Sequence, residues 1–213
     1  MPQADRPTGG GQGLYRLKPA SQHLVEPLAD ALAGRGISPD AISAMAVVVA
    51  VVGGACLAGS TTLPPLLLLV PFLAAARLIL NLLDGMVARK TETARPMGEV
   101  WNELGDRLGD VVFIGCLGFV PAVGPALALS AAIAAVLASY AGLAARAAGG
   151  RRLYGGVLSK PGRMIVLAVA APLAYLTGDP RVLAIGAAVL LAGGIATLVQ
   201  RLRTAMRELR LAD

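Results

Sequence analysis

Six apolar segments, each close to the length that crosses a lipid bilayer, follow one another along this chain. A helix that spans a membrane needs about 17 to 25 mainly apolar residues, because the hydrocarbon core is about 30 Å thick. The segments that meet this requirement are residues 39–59, 64–90, 97–120, 125–148, 161–178 and 180–203. We therefore expect an all-α integral membrane protein with six transmembrane helices. We expect Ser38 to be the N-cap of the first segment, with Pro39 in its first turn.

The composition is also that of a membrane protein. Of the 213 residues, 56% are hydrophobic and 15% are charged, whereas about 25% of the residues in a typical soluble domain are charged. The net charge of +6 would suggest a nucleic-acid partner in a soluble protein. Here the basic residues fall in short loops between apolar segments, so we expect contact with membrane lipids and no binding of nucleic acid.

Lys and Arg residues are concentrated on one side of the predicted membrane domain. Short loops on the cytoplasmic side of a membrane carry an excess of these residues. The loop after the second segment and the loop after the fourth contain Arg89, Lys90, Arg95, Arg146, Arg151, Arg152, Lys160 and Arg163. On the opposite side only Arg181 occurs in the sequence. We therefore expect a multi-pass protein of the cytoplasmic (inner) membrane with both termini in the cytoplasm.

The sequence divides into four parts. Residues 1–13 are rich in Gly, Pro and polar residues, which predicts a disordered tail. Residues 14–36 have one apolar face, which favours an amphipathic juxtamembrane helix on the inner leaflet; a solvated helix packed on the cytoplasmic helix ends explains the pattern equally well. Residues 37–205 form the six-helix membrane domain, and residues 206–213 form a cytoplasmic tail.

Polar side chains interrupt the second and third apolar segments near the ends that are predicted to face the cytoplasm. Asn81 and Asp84 end the second segment, and Asn102, Asp106 and Asp110 lie in the third. Residues three or four positions apart share a helix face, and the short loop predicts antiparallel neighbours, so these side chains should converge. Such oxygen ligands suit Mg²⁺ or Mn²⁺. Zinc is excluded because it prefers His and Cys, and the chain has one His and two Cys in apolar runs.

The polar segments resemble the signature of the CDP-alcohol phosphotransferases, D-x-x-D-G-x-x-A-R-x8-G-x3-D-x3-D. This chain reads N-x-x-D-G-x-x-A-R-x8-G-x3-N-x3-D from Asn81 to Asp106, with the same spacing at every position. The first and third aspartates of the signature are Asn81 and Asn102. A bacterial branch of the family is similar in having both asparagines and the additional Asp110. Ile37-Ser-Pro-Asp40 resembles the family's Ile-Thr-Pro-Asn element.

The resemblance implies a membrane transferase of phospholipid biosynthesis. Such an enzyme moves a phosphatidyl (substituted phosphate) group from a CDP-alcohol such as CDP-diacylglycerol to an acceptor hydroxyl and releases CMP. The acceptor would be a small alcohol or polyol phosphate, and the enzyme would use Mg²⁺ or Mn²⁺ and form a homodimer. The implied general base is Asp106.

Further site residues are expected in three groups. The metal ligands are Asp84, Asp106, Asn81 and Asn102, with Asp110 as an added carboxylate; nucleotide and phosphate are bound by Asp84, Gly85, Ala88, Arg89 and Gly98; acceptor phosphate or lipid headgroup is bound by Lys160 and Arg163. Small residues such as Gly85, Ala88 and Gly98 leave space for a phosphate-bearing ligand to approach the backbone.

Other interpretations of the same residues stay open. Asp110 and Glu103 could instead pair with Arg77 or Arg107, and Lys160 and Arg163 could be ordinary cytoplasmic charges. At the level of function, the alternative is a nucleotide-lipid binding or assembly protein that retains the fold without catalysis. A transporter is disfavoured, because transporter sites lie near the bilayer midplane and this cluster lies at helix ends.

The distribution of Lys and Arg predicts the topology. Reporter fusions at residues 61, 123 and 179 should report an external location, and fusions near residues 93 and 155 a cytoplasmic one. A cytoplasmic signal at residue 123 would contradict the assignment of the third and fourth segments.

Overall fold

The structure, a computed structural model, describes residues 18–210, with side chains from residue 23 onward. Within this range the chain forms seven α-helices and no β-strand: α1 (Lys18–Gly34), α2 (Pro39–Gly59), α3 (Val70–Lys90), α4 (Pro96–Gly115), α5 (Gly124–Ala147), α6 (Lys160–Thr177) and α7 (Arg181–Arg210). Two 3-10 helices, Pro64–Leu68 and Cys116–Phe119, precede α3 and follow α4. The predicted tail at 1–13, the first four residues of the predicted segment 14–36 and the last three residues of the chain lie outside the described residues.

Four helical segments are long and apolar enough to cross a membrane. They are Pro39–Gly59, Pro64–Lys90, Gly124–Ala147 and Arg181–Arg210. Helix α4 does not meet this standard because its 20 residues include five charged side chains, Glu99, Glu103, Asp106, Arg107 and Asp110. Helix α6 has only 18 residues, with Lys160 and Arg163 at its start. Helix α7 continues to Arg210, beyond the expected end of the last apolar segment at residue 203.

The start of α2 follows from its sequence. The Ser38 side chain accepts a hydrogen bond from the backbone N–H of Ala41 at 3.2 Å, and Pro39 occupies the first turn. A serine at this position satisfies one of the N–H groups that a helix start leaves unpaired. Proline is tolerated there because its missing N–H has no partner to lose. The predicted N-cap is confirmed.

The end of α3 and the starts of α4 and α6 lie around one region of the bundle. Helix α2 packs against α3 and α4, α5 packs against α4 and α7, and α6 packs against α3 and α7. Helices α3 and α4 both lie against α2. They also contact each other through side chains, since Arg77 of α3 reaches Asp110 and the backbone of Asp106 on α4. Side chains cross the space between α3 and α4, and this space opens at the end of the bundle where α3 finishes and α4 begins.

Helix α1 packs on the end of the bundle. Val25 and Ala29 are buried against a cluster that includes Leu83 and Val87 of α3. Lys90 of α3 reaches back to α1, with its Nζ 2.6 Å from Asp30 Oδ1 and 3.4 Å from Glu26 Oε1. Leu24 and Leu28 are exposed. The structure therefore shows packing on the helix ends, and contact between α1 and a membrane surface stays a prediction.

The main core is built from small residues and a few large ones. Gly53 of α2 lies against the ring of Phe113 of α4, which is fully buried. A Cβ on Gly53 would stand 2.6 Å from Phe113 Cζ. This approach is closer than any real carbon–carbon contact, so a larger residue at position 53 must displace the ring.

We expect Gly53→Ala to lower the free energy of unfolding by about 1–3 kcal/mol, the usual cost of overpacking a core. Gly115→Ala is the matched control, because a Cβ there meets no atom within 4 Å and alanine favours the helix by about 1 kcal/mol. Denaturant titration of both variants in detergent micelles measures the difference. Equal stability of the two variants would contradict the packing of α2 on α4.

Candidate active site

A cavity of about 470 Å³ lies where α3 ends and α4 and α6 begin. Pockets for small molecules and cofactors have volumes of about 300–1,000 Å³. Its walls include eight of the expected site residues along α3, α4 and the start of α6, of which seven are Asn81, Asp84, Gly85, Arg89, Asn102, Asp106 and Lys160. Arg163 also contributes to the wall. The polar faces of α3 and α4 thus line one cavity.

Asp84 and Asn81 form the α3 side of the cavity. Asp84 is buried, and its Oδ2 accepts a hydrogen bond from the hydroxyl of Ser43 on α2 at 2.9 Å. Its Oδ1 lies 2.5 Å from the backbone N of Gly85. Both polar atoms of the Asn81 amide are buried and have no hydrogen-bond partner among the described residues. A buried amide without partners costs free energy, so this position is suited to a ligand that the amide can bind.

Asp106 forms the α4 side of the cavity and is paired with a lysine. The ammonium group of Lys160, the first residue of α6, forms an ion pair with Asp106 Oδ1. The Lys160 and Asp106 side chains are only 16% and 18% exposed. The residue expected to act as base and a residue expected to bind the acceptor are therefore in direct contact, although they lie 54 positions apart in the sequence.

Asp110 lies below the cavity in a fully buried ion cluster with two arginines. Its Oδ1 is 2.7 Å from Nη1 of Arg77 on α3, and its Oδ2 is 2.5 Å from Nη2 of Arg163 on α6. Arg77 also donates through Nη2 to the backbone carbonyl of Asp106 at 3.0 Å. Both carboxylate oxygens of Asp110 are thus occupied by guanidinium groups. Pairing with Arg77, the alternative considered from the sequence, is the observed arrangement, and metal binding by Asp110 stays a prediction.

The same cluster changes the interpretation of Arg163. Its guanidinium is 1% exposed and binds Asp110, which leaves it little freedom to bind an acceptor phosphate. Arg77 reaches Asp110 by crossing α4 at Gly109, where a Cβ would stand 2.6 Å from Arg77 Nη2. The absence of a side chain at Gly109 therefore makes room for an arginine of the protein.

Three residues expected to bind nucleotide have different surroundings. The Arg89 side chain lies near Gly85, since a Cβ at position 85 would stand 3.5 Å from Arg89 Nη1, and both residues line the cavity. Gly98 lies beside the ion pair of Asp40 and Arg95. Neither Gly98 nor Ala88 is among the described residues that line the cavity. Nucleotide binding by these residues stays a prediction.

The loop between α5 and α6 supplies wall residues that the signature does not contain. Arg152 forms ion pairs with Glu99 and Glu103 of α4, and its guanidinium carbon lies 4.7 Å from the centre of the Tyr154 ring. Glu103 also pairs with Arg107, as considered from the sequence. These contacts fix the loop over the start of α4.

Arg201 of α7 holds the same loop from the other side. Its guanidinium donates to the backbone carbonyls of Ala138, Tyr154 and Gly155 at 2.6, 2.7 and 2.9 Å. In the sequence Arg201 could be read only as one more cytoplasmic charge. The signal that could have singled it out is its place beside the uncharged stretch of residues 182–200, because an arginine next to the apolar part of a span usually has a partner.

The cavity offers few ligands for a metal ion. No group of three or more His, Cys, Asp or Glu side chains within residues 18–210 is arranged to hold one. The signature residues in the cavity wall offer the carboxylates of Asp84 and Asp106 and the amides of Asn81 and Asn102. The carboxylate of Glu103 in the same wall is paired with Arg107 and Arg152. Hard cations accept amide and carboxylate oxygens together, and the unpartnered Asn81 amide stands next to Asp84 in the cavity wall. The residues therefore fit a hard cation, with less negative charge than four aspartates would provide.

Comparison with known proteins shows the family to which this chain belongs. No family model matches the chain. The phosphatidylinositol phosphate synthase of Mycolicibacterium smegmatis is 30% identical over 187 residues, which cover 84% of this chain and 82% of that protein. The chain belongs to the CDP-alcohol phosphotransferase family. The inner membrane protein YnbA of Escherichia coli (strain K12) is 28% identical over 153 residues, 72% of this chain and 76% of that protein.

Solved structures share the fold of this CDP-alcohol phosphotransferase. The crystal structure of the Mycobacterium tuberculosis phosphatidylinositol phosphate synthase in complex with manganese and citrate is 24% identical, with a TM-score of 0.70 over 84% of this chain and 88% of that chain. The same synthase with CDP-DAG bound is 23% identical, with a TM-score of 0.66 over 86% and 94% of the two chains. At this identity the likeness shows the fold alone.

We expect Asp110→Asn to destabilise the protein by about 3–5 kcal/mol, because it leaves two buried guanidinium groups without their anion. Glu103→Gln on the same helix is the control. Its ion pairs with Arg107 and Arg152 are partly exposed, and such pairs contribute about 1 kcal/mol or less. Unfolding in detergent measures both variants. A loss for Asp110→Asn no larger than that for Glu103→Gln would contradict the buried cluster.

Proposed function

We propose that this chain is a membrane transferase that moves a phosphatidyl group from CDP-diacylglycerol, or a similar CDP-lipid, to the hydroxyl of a small alcohol or polyol phosphate and releases CMP. One observation carries the proposal. A cavity of the size of a substrate site joins Asp84, Gly85 and Arg89 of α3 with Asp106 of α4, and these residues keep the spacing of the family's signature. The 30% identical relative is named a phosphatidylinositol phosphate synthase.

Asp106 acts as the general base in this proposal. It lines the cavity and lies on α4, and Arg77 fixes the backbone at this position through its hydrogen bond to the Asp106 carbonyl. The carboxylate accepts the proton of the acceptor hydroxyl, and the oxygen forms a bond to the phosphorus on the lipid side of the pyrophosphate. The bond from that phosphorus to the bridging oxygen breaks, and CMP leaves with the bonding electrons.

Residues of α3 hold the donor. The Arg89 guanidinium beside Gly85 offers donors that suit a phosphate, and the absence of a side chain at position 85 lets the phosphate approach the helix. Ala88 and Gly98 would serve the nucleotide further from the cavity wall. Lys160 and Arg163 lie in the wall of the same cavity. Of the two, Lys160 is the better candidate to meet an acceptor phosphate, since Arg163 is occupied by Asp110.

A single Mg²⁺ or Mn²⁺ is the metal complement that these residues favour. Asp84, Asn81, Asn102 and Asp106 would hold it, whereas both carboxylate oxygens of Asp110 are paired with arginines. The metal would supply positive charge that offsets the charge of the leaving phosphate. Two amides in place of two carboxylates remove two negative charges, and a pair of hard cations needs carboxylates to offset their mutual repulsion. We propose that any second ion arrives only with the donor's pyrophosphate.

The six helices α2–α7 all cross the membrane in this proposal. The protein lies in the inner membrane of the cell in this proposal. Both termini and the cavity face the cytoplasm. The charges that make α4 and α6 less apolar are paired inside the bundle or line the cavity, so they do not exclude a membrane span. The lipid tails of the donor would enter between helices, and two copies of the chain would form a homodimer.

The alternative is a binding or assembly protein that retains the fold. The two asparagines and the occupation of Asp106 by Lys160 favour it. Release of CMP separates the two functions, because a binding protein holds the CDP-lipid without cleaving it.

We expect purified protein with CDP-diacylglycerol, Mn²⁺ and a panel of alcohols and polyol phosphates to release CMP and form one new lipid, identified by mass spectrometry. Asp106→Asn should reduce turnover about 10²–10⁴-fold, the usual contribution of a general base. Asp179→Asn is the control, since Asp179 caps the start of α7 at the other end of the bundle. If Asp106→Asn, correctly inserted, keeps more than about a tenth of the activity, Asp106 is not the base.

A further inference from the structure

Lys160 occupies an unusual place among the basic residues of the cavity. The guanidinium groups of Arg107 and Arg152 are paired with Glu103, and that of Arg163 is paired with Asp110. Lys160 alone, of the described basic side chains, forms an ion pair with a carboxylate of the signature. It lies at the start of α6, where the mostly buried pair is held at the edge of the cavity.

The position of Lys160 is fixed by the fold. Pro161 restricts the backbone at the first turn of α6. Two residues before Lys160, the backbone N of Leu158 donates to Thr197 Oγ1 on α7 at 2.8 Å. Three residues after it, Arg163 is anchored to Asp110. The ammonium group is therefore attached to a segment that is tied to both α7 and α4, so it stands beside Asp106 as a fixed charge.

The charges of the two signature carboxylates and the lysine that pairs with one of them leave room for one divalent cation. Asp84 and Asp106 carry two negative charges, and Lys160 carries one positive charge. One divalent cation leaves this group with a net charge of +1, whereas two leave it with +3. In sites with two metals, each ion stabilises one of the oxygens at the reacting phosphorus. A fixed ammonium group next to one carboxylate can provide the positive charge at one of these two places.

We infer that the Lys160 ammonium group takes the electrostatic place of a second divalent cation at Asp106, so that the nucleotide-free protein binds one metal ion and supplies the other positive charge itself. This inference rests on the proposed function, because it concerns how the same cavity holds the pyrophosphate of a CDP-lipid. Asp84 and Asn81 would hold the metal on the α3 side, and the ammonium group of Lys160 would supply positive charge beside Asp106 on the α4 side. The two asparagines, Asn81 and Asn102, fit this inference, because each replaces a carboxylate whose negative charge a second metal ion would need.

The test is a titration with Mn²⁺ of purified protein without nucleotide, which requires no turnover. The native protein should bind one equivalent tightly. Lys160→Gln removes the charge and keeps a group that can donate to Asp106, and Lys160→Met removes both. Each should bind a second Mn²⁺ or bind the first at least about tenfold more tightly. Even in water a unit charge and a divalent ion roughly 5 Å apart interact by an amount equivalent to about tenfold in a binding constant.

Two controls separate this effect from a general change of charge. Lys160→Arg keeps the charge and should bind Mn²⁺ as the native protein does. Lys90→Gln removes the same charge from a lysine that pairs with Asp30 and Glu26 on α1, outside the cavity, and should also leave Mn²⁺ binding unchanged. Adding Asn81→Asp and Asn102→Asp to the Lys160→Gln variant should give two tight equivalents.

The outcomes distinguish this inference from the proposed function. If both neutral variants bind Mn²⁺ with the number and affinity of the native protein, Lys160 does not replace a cation, and CMP release by the native protein still supports the transferase. Two tight equivalents in the native protein also overturn the inference. If the native protein neither binds Mn²⁺ nor releases CMP, both proposals fail. Two neutral variants with different packing demands keep the result informative if one of them does not fold.

Discussion

The buried ion cluster of Arg77, Asp110 and Arg163 is the interaction on which the candidate site depends. It joins α3, α4 and α6, which carry the residues that line the cavity. A charge inside a bilayer-spanning bundle is tolerated only when it is paired, and one carboxylate between two guanidinium groups satisfies this condition for three helices. Because Arg77 also donates to the backbone carbonyl of Asp106, the same cluster fixes the position on α4 of the residue that we propose as the base.

Above this cluster the cavity has two unlike sides. The α3 side presents Asp84, fixed by Ser43, and the unpartnered amide of Asn81. The α4 side presents Asp106 with its positive partner Lys160. The α3 side is suited to bind a metal cation, whereas the α4 side already contains the positive charge of the Lys160 ammonium group. The loop between α5 and α6, fastened by Arg152 and Arg201, closes the wall above them.

The sequence was sufficient for the features that depend on local pattern. Apolar length and Ser38–Pro39 predicted where α2 begins, and the spacing of Asn81, Asp84 and Asp106 predicted one polar cavity at the helix ends. It was not sufficient for pairing across the bundle. Whether Asp110 faces a metal or an arginine depends on the rotation of α3 and α6 about their axes relative to α4. That rotation depends on packing at residues such as Gly109, where Arg77 lies against α4. The partners of Lys160 and Arg201 are long-range for the same reason.

The charges of α4 have a consequence for biogenesis. A segment that carries Asp110 in its middle enters lipid at a cost of several kcal/mol when it is alone. Its first partner, Arg77, belongs to the segment synthesised immediately before it, so the two can enter the bilayer as a hairpin whose opposite charges are already joined. Arg163 is synthesised 53 residues later and can complete the cluster only after α5 has crossed. In the proposed six-span topology, assembly would therefore be ordered: the α3–α4 hairpin would persist with a single ion pair until α6 is inserted.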